Sequence, residues 1–248
     1  ARALAERIAS YDAVHLHSVF LWPTLAAARA AARADVPYVV APRGMLVGEL
    51  IARKSALAKR LWIAAFERRT IAQAAAIHVT TQLEADEIGK LGLNPRRIAI
   101  VPNGVDAPPP DAVPRPRDAQ GREGIVLSLG RLNWKKGLDR LIAAMALVPG
   151  AQLVIAGNDE DGYRATLEAL AADAGIADRV RFLGEVRGRD KWAAFAGADV
   201  FAMPSYSENF GNAALEAMAC GLPVVVTPEV GLASAIAQSG AGVVTPGE

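Results

Sequence analysis

A single cysteine, Cys220, stands among the 248 residues, so no disulfide can close within the chain. It ends an apolar helical stretch and reads as a small buried residue, which makes a reducing cytoplasm the expected setting. No apolar run reaches the roughly 18 residues that a membrane span requires. The opening Ala1-Arg2-Ala3-Leu4-Ala5-Glu6-Arg7 is a charged helix pattern without the apolar centre of a secretory leader. Net charge is only +1, which gives no global reason to expect nucleic acid as a partner. No His/Cys cluster has metal-ligand spacing. The chain lacks an initial Met, and the organisation below leads to the expectation that both ends have been cut.

What is present is a core-forming composition, 52% hydrophobic and 21% charged, long enough for one large or two ordinary domains. Apolar strands alternate with helical patterns. Strands are expected at 13–17, 36–41, 76–80 and 98–102, with helices over 2–9, 22–34, 51–74 and 82–90 between or before them. Residues 107–123 then hold five prolines (Pro108, Pro109, Pro110, Pro114 and Pro116) and read as an extended linker. A second alternating series follows, with strands at 125–130, 153–157, 180–184, 199–203, 224–227 and 242–245. The helix at 138–147 places Leu138, Leu141, Ile142 and Met145 on one face. The pattern predicts an α/β protein of two Rossmann-like, doubly wound parallel-sheet domains, 1–106 and 124–248, the first incomplete, with a cleft at the carboxyl ends of their strands.

The stretch from Pro204 to Pro223 organises the second domain. The strand ending at Met203 enters a polar turn, a short helix follows, and the strand at Val224 leaves it. Asn212 is the expected N-cap, and Gly221 with Pro223 ends the helix. Glu208 lies in the turn and Glu216 on the helix. Carboxylates beside a helix N-terminus suit hydroxyl and anionic groups of one ligand, whereas two Glu at helical spacing alone would describe a solvated face. Earlier, Gly130-Arg131-Leu132-Asn133-Trp134-Lys135-Lys136-Gly137 follows a strand and opens a helix. Arg131 and Lys136 there can converge on a diphosphate; a solvated basic turn is the plain alternative.

These segments resemble the retaining, nucleotide-sugar-dependent glycosyltransferases of the GT-B fold, family 4 type. Glu208 to Glu216 matches the E-x(7)-E motif, set within Ser-Glu-Asn-Phe-Gly and Ala-Cys-Gly-Leu-Pro-Val-Val. Residues 130–137 match G-R-L-x-x-x-K-G, and Pro102-Asn103-Gly104-Val105-Asp106 matches the segment closing the first domain. The resemblance covers about Val14 to Glu248. It implies that Arg131 and Lys136 hold the donor diphosphate and stabilise it as leaving group. It further implies that Glu208 meets the donor sugar, that Asn209, Phe210 and Gly211 offer backbone N–H groups, and that Glu216 accepts from the ribose. His17 matches the active-site histidine that follows the first strand here; a hydrogen-bonded structural role is its alternative. His15 and His78 read as structural.

Arg43, after another strand end, is open to two readings, a contact to a charged acceptor or donor phosphate, or a loop salt bridge. Asp159-Glu160-Asp161 contains a D-x-D pattern, but Arg131 and Lys136 already supply positive charge and the family does not need a metal, so none is expected. Residues 43–69 carry seven Lys or Arg against Glu49 and Glu67, together with Leu57, Leu61, Trp62 and Phe66. That pattern fits either a core-facing stripe with a basic back or contact with an anionic membrane.

The expected activity is retaining transfer of a hexose-type sugar from a nucleoside diphosphate sugar to an acceptor hydroxyl, in polysaccharide or glycolipid synthesis. The acceptor would be a sugar, a lipid-linked sugar or a polysaccharide. No further cofactor is expected, and the place is the cytoplasm, at or near the inner membrane face. A nucleotide-sugar epimerase or a phosphorylase-like protein of the same architecture, and a non-catalytic sugar-nucleotide-binding module, are the alternatives.

Overall fold

In a computed structural model the described residues are 2–53, 55–110 and 123–247. Residues 111–122 of the linker expected over 107–123 lie outside them. The chain forms two compact units, Ala1–Asn103 and Gly104–Glu248.

The first unit contains, in order, α1 (Arg2–Ile8), β1 (Val14–His17), α2 (Trp22–Arg33), β2 (Tyr38–Ala41), α3 (Gly48–Arg53), α4 (Ala56–Trp62), a π turn (Ile63–Glu67), α5 (Arg68–Gln73), β3 (Ala76–Val79), α6 (Gln82–Lys90) and β4 (Ile98–Ile100). The strands are parallel and lie in sequence order, β1-β2-β3-β4. Leu16, Val40, Ile77 and Val79 belong to one hydrophobic cluster together with residues of α2, the π turn, α5 and α6. Successive side chains on a strand alternate faces, so His15, His17 and His78 emerge on the opposite side of the sheet.

The helix expected over 51–74 is interrupted. Ser55 takes a left-handed backbone, φ 56°, which an L-residue adopts at a cost of about 1–2 kcal/mol, and α3 and α4 therefore stand apart. The π turn then joins α4 to α5.

The second unit holds β5 (Gly124–Leu129), a 3-10 turn (Trp134–Lys136), α7 (Leu138–Ala146), β6 (Ala151–Ala156), α8 (Tyr163–Asp173), β7 (Val180–Gly184), α9 (Gly188–Gly197), β8 (Val200–Met203), α10 (Asn212–Ala219), β9 (Val224–Val226), α11 (Ala233–Ser239) and β10 (Gly242–Val244). All six strands are parallel, in the order β10-β9-β8-β5-β6-β7. Phe201 and Met203 join one hydrophobic cluster with α9, α10 and α11, while Ala202 between them joins another with α7 and α8. Both faces of this sheet are therefore covered. The chain works outward from β5 through β6 and β7, then returns to β8 on the other side of β5. Loops after β5 and β8 diverge to opposite faces, and the crevice between them is where open parallel sheets bind ligands.

Candidate functional site

The two loops at this switch point are bonded to each other. Tyr206 N–H donates to Lys135 O at 2.8 Å. Tyr206 Oη donates to Asp139 Oδ2 of α7 at 2.8 Å, and the Arg140 guanidinium lies 3.6 Å from the centre of the Tyr206 ring. The hydrogen bond to Asp139, above all, raises the Tyr206 pKa, since the phenol proton is held in it. Closest of all is Gly137. A Cβ placed there would lie 1.9 Å from Pro204 O, and its φ is +62°. The strand-β5 loop and the strand-β8 loop touch backbone to backbone, which only glycine permits.

That contact delivers Lys136 to Glu208. Lys136 Nζ and a Glu208 carboxylate oxygen form an ion pair, with side chains only 20% and 19% exposed. Glu208 is fixed independently from behind: its N–H donates to Glu229 O at 3.1 Å, and its C=O accepts from Gly231 N–H at 2.9 Å. Arg131 shares a small recess with Ser128, Gly130, Lys136, Leu138 and Met203. Its guanidinium donates to Glu160 at 2.8 Å, and Asn133 Nδ2 donates to the other Glu160 oxygen at 2.6 Å. The Asn133 hydrogen bond, ahead of Arg131, lowers the Glu160 pKa. The D-x-D segment is engaged within the protein, since Asp159 Oδ1 accepts from Arg164 N–H at 3.0 Å. Among the described residues no group of three or more His, Cys, Asp or Glu is placed to hold a metal ion.

Asn212 is not the N-cap of α10. The cap is Gly211, at φ 103°, and Asn212 is the first helical residue. Asn209 is partly buried and Phe210 is 4% exposed, its side chain anchoring the loop in the interior. Leu232 N–H donates to Phe210 O at 3.0 Å. Glu216 sits on α10 and accepts from Lys191 of α9 at 2.8 Å, with the side chains 18% and 22% exposed. Lys191 also lies 4.4 Å from the centre of the Trp192 ring. Arg131, Lys136 and Glu208 thus gather at the β5–β8 crevice, whereas Glu216 is one helical turn further along and answered by a cation that sequence reading did not single out. Lys191, Tyr206, Asp139 and Glu160 complete this set; separations of 25 to 72 residues between the bonded partners leave no local pattern to reveal them.

In the first unit, His15, His17 and His78 form a cluster of mutually tilted rings, with the centres of His17 and His78 4.3 Å and 5.3 Å from that of His15. Arg43 Nε donates to His17 Nδ1 at 3.3 Å, and Arg43 Nη1 to Asn103 Oδ1 at 3.1 Å. Arg43 therefore holds a ring nitrogen and an amide, in place of the loop salt bridge. Because Arg43 can only donate, neutral His17 accepts at Nδ1 and carries its proton on Nε2. Val101 O can only accept, so His78 Nε2 donates to it at 3.1 Å, and His78 Nδ1 then accepts from His15 Nε2 at 3.3 Å. Arg43 is held at φ 56°, and Ser18 and Phe20, after β1, are also left-handed at 73° and 62°. Buried Glu84 steadies the Arg43 loop by accepting from Gly44 N–H at 2.7 Å and from Thr80 N–H at 2.9 Å. Strained backbone concentrated at the strand ends is the usual mark of a functional loop.

Desolvation, then Arg43 and His78, lowers the His17 pKa; desolvation, then His17, His78 and Arg43, lowers that of His15. From the ordinary value of 6.5 downward, the unfolded chain binds protons at both rings that the folded chain refuses. Stability is therefore expected to fall as pH drops through about 6.5 and to be insensitive to these rings well above it. Thermal melts between about pH 8 and about pH 5.5 check this: a His15→Gln/His17→Gln chain should show a shallower decline than the native one.

Residues 112–248 match the family model described as glycosyl transferases group 1, and residues 1–104 match the glycosyl transferase 4-like domain. D-inositol 3-phosphate glycosyltransferase of Mycobacteroides abscessus is 35% identical over 189 residues, 73% of this chain and 43% of the relative. The protein of the same name from Mycolicibacterium smegmatis is 36% identical over 193 residues, 73% of this chain and 44% of the relative. The chain thus spans less than half the length of these curated relatives. Among solved structures, sucrose-phosphate synthase from Thermosynechococcus elongatus superposes on 100% of this chain and 64% of its own, with a TM-score of 0.78 and 25% identity. Anabaena Alr3699/HepE in complex with UDP gives a TM-score of 0.80 over 100% of this chain and 68% of its own, at 24% identity, a likeness of fold. The chain belongs to the glycosyl transferases group 1 family and has the GT-B glycosyltransferase fold.

Proposed function

We propose that the chain is the sugar-transferring part of a retaining hexosyltransferase, which moves a sugar from a nucleoside diphosphate donor to an acceptor hydroxyl in polysaccharide or glycolipid synthesis in the cytoplasm. One observation carries the reading: Lys136 and Glu208, a cation and a hydroxyl acceptor, meet at the β5–β8 crevice, on two loops locked together at Gly137. When the sugar–diphosphate bond breaks, negative charge builds on the bridging oxygen. Lys136 and Arg131 neutralise it, each fixed donor of this kind being worth about 3 kcal/mol. Glu208 receives sugar hydroxyls, the 209–211 backbone borders the sugar and phosphate, and Glu216 receives the ribose. The acceptor oxygen forms its bond to the anomeric carbon from the face the diphosphate leaves, and its proton passes to the departing phosphate. In the first unit, His17 presents Nε2–H as a hydrogen-bond donor, and Arg43 keeps that tautomer. No cofactor takes part.

Both cations already hold carboxylates in the free protein. Donor binding must draw Lys136 toward phosphate, which leaves Glu208 to accept from the sugar. Arg131 must likewise exchange Glu160 for phosphate. Glu160→Gln is expected to tighten nucleoside diphosphate binding by a factor of about two or three, the modest size of an exposed pair; calorimetric titration reads it.

A thermal-shift screen against UDP, GDP and ADP sugars tests the reading, because a ligand bound only by the folded state raises the melting temperature. One nucleotide class is expected to do so, with sugar transfer once an acceptor is supplied. Stabilisation by none of them would contradict the reading, and conversion of the donor without an acceptor would assign an epimerase instead.

A further inference from the structure

The first unit has a second feature that the donor chemistry does not use. A groove of about 430 Å³ runs between α2 and the π turn and α5. Arg29 and Arg33, one turn apart on α2, line it from one side, and Arg69 from the other, over a floor that includes Leu25, Ala28 and Phe66. Among the described residues that line it there is no carboxylate. All three arginines are exposed.

Phe66 joins this groove to an aromatic patch. Its ring packs at 4.8 Å from Trp62 and 5.9 Å from Trp22, and Trp22 meets Trp62 edge-on at 5.1 Å. The Arg29 guanidinium lies 5.3 Å from the centre of the Phe66 ring. Trp22 is nevertheless 62% exposed, and Leu57 and Leu61, one turn apart on α4 and leading into Trp62, are 72% and 61% exposed. The patch is built rather than incidental. Buried Glu67 in the π turn accepts from Trp62 Nε1–H at 2.9 Å and from Phe20 N–H at 2.8 Å, fixing both α4 and the loop ahead of α2.

We propose that this face docks on an anionic phospholipid bilayer, with Trp22, Leu57 and Leu61 entering the interfacial layer and Arg29, Arg33 and Arg69 binding lipid phosphates in and beside the groove. Exposed Trp and Leu beside cations are what the interface selects, since it accepts an apolar body next to a charged headgroup plane. The absence of carboxylates in the groove supplies the complementary sign. Each arginine close to an anionic surface strengthens partitioning about fivefold.

Co-sedimentation with vesicles tests it. The chain is expected to bind vesicles of phosphatidylcholine and phosphatidylglycerol in equal parts and to stay off phosphatidylcholine alone. Arg29→Gln/Arg33→Gln/Arg69→Gln should weaken binding about a hundredfold, and the corresponding triple lysine variant should keep most of it. Trp22→Ser/Leu57→Ser/Leu61→Ser should lose binding even at low salt. All six positions are exposed, so melting temperatures should stay close to native. The proposal is overturned if the native chain ignores anionic vesicles, if the glutamine variant binds them as the native chain does, or if calorimetry finds inorganic phosphate in the groove while the chain leaves both kinds of vesicle in solution.

Discussion

Replacing Lys136 by alanine is expected to lower turnover about a hundredfold to a thousandfold, the loss typical of a fixed donor aimed at charge that develops in the transition state. Two effects combine. In the proposed reaction the leaving diphosphate loses a cation, and Glu208, only 19% exposed, loses the group that answers its charge. A carboxylate in that condition repels the donor phosphate as well. The substitution should therefore raise the Michaelis constant for the donor while it lowers the maximal rate. Lys136→Arg restores charge but not reach, because a planar guanidinium cannot replace a point charge in so close a pair. It should recover donor binding more than rate. Steady-state kinetics against donor concentration separate the two, and an unchanged maximal rate in Lys136→Ala would remove Lys136 from the chemistry.

Gly137→Ala is expected to damage the site without touching a charge. The added Cβ would sit 1.9 Å from Pro204 O and 2.8 Å from its carbonyl carbon, atoms of a backbone that runs straight from β8. The left-handed φ of +62° adds about 1–2 kcal/mol for an L-residue, and forcing the loops apart adds about 1–3 kcal/mol. Together these predict a loss of about 3 kcal/mol and a fall in melting temperature of roughly 6–12 °C. The Lys135–Tyr206 and Lys136–Glu208 contacts should part in the same step, so donor affinity should fall even in the fraction that folds. Gly150→Ala is the control. It also has a positive φ, +73°, but nothing lies within 4 Å of its Cβ, so it should show only the backbone cost. Melts of the two variants side by side read the difference.

The comparison of sequence with structure turns on how local each signal was. Helix α6 and strand β7 fall on the expected residues because cap, period and turn all lie within a few positions; Thr81 caps α6 by accepting from Glu84 N–H. The break at Ser55 was not legible, since nothing in a run of Ala, Leu, Lys and Arg announces a left-handed residue. The cap of α10 was misplaced by one residue because Asn is the better capping side chain, whereas Gly211 alone accepts φ 103° with Val230 Cγ1 3.0 Å from where its Cβ would be. Helix α11 was not anticipated: between Pro228 and Gly240 the turn residues mask its short apolar face.

The chemistry was legible as types of residue and not as partners. Arg131, Lys136, Glu208 and Glu216 stood out through motif resemblance. Which acid answers which base was decided by the sheet order, which sets β5 beside β8 although 70 residues of chain lie between the two strands. Glu216 was expected beside Glu208 in one constellation; its bonded neighbour is Lys191, brought by α9. His17 ends its strand, as the expected span 13–17 has it, but its tautomer depends on Arg43, 26 residues away and held in a left-handed conformation.

The most direct test of the central claim is calorimetric titration of UDP, GDP and ADP in turn into the native chain and into Lys136→Ala. One nucleoside diphosphate should bind the native chain at a single site and bind the variant about tenfold to a hundredfold more weakly, as expected for loss of one charge-assisted bond. Equal affinity in both chains, or no binding to the native one, would contradict the placement of the diphosphate at the β5–β8 crevice.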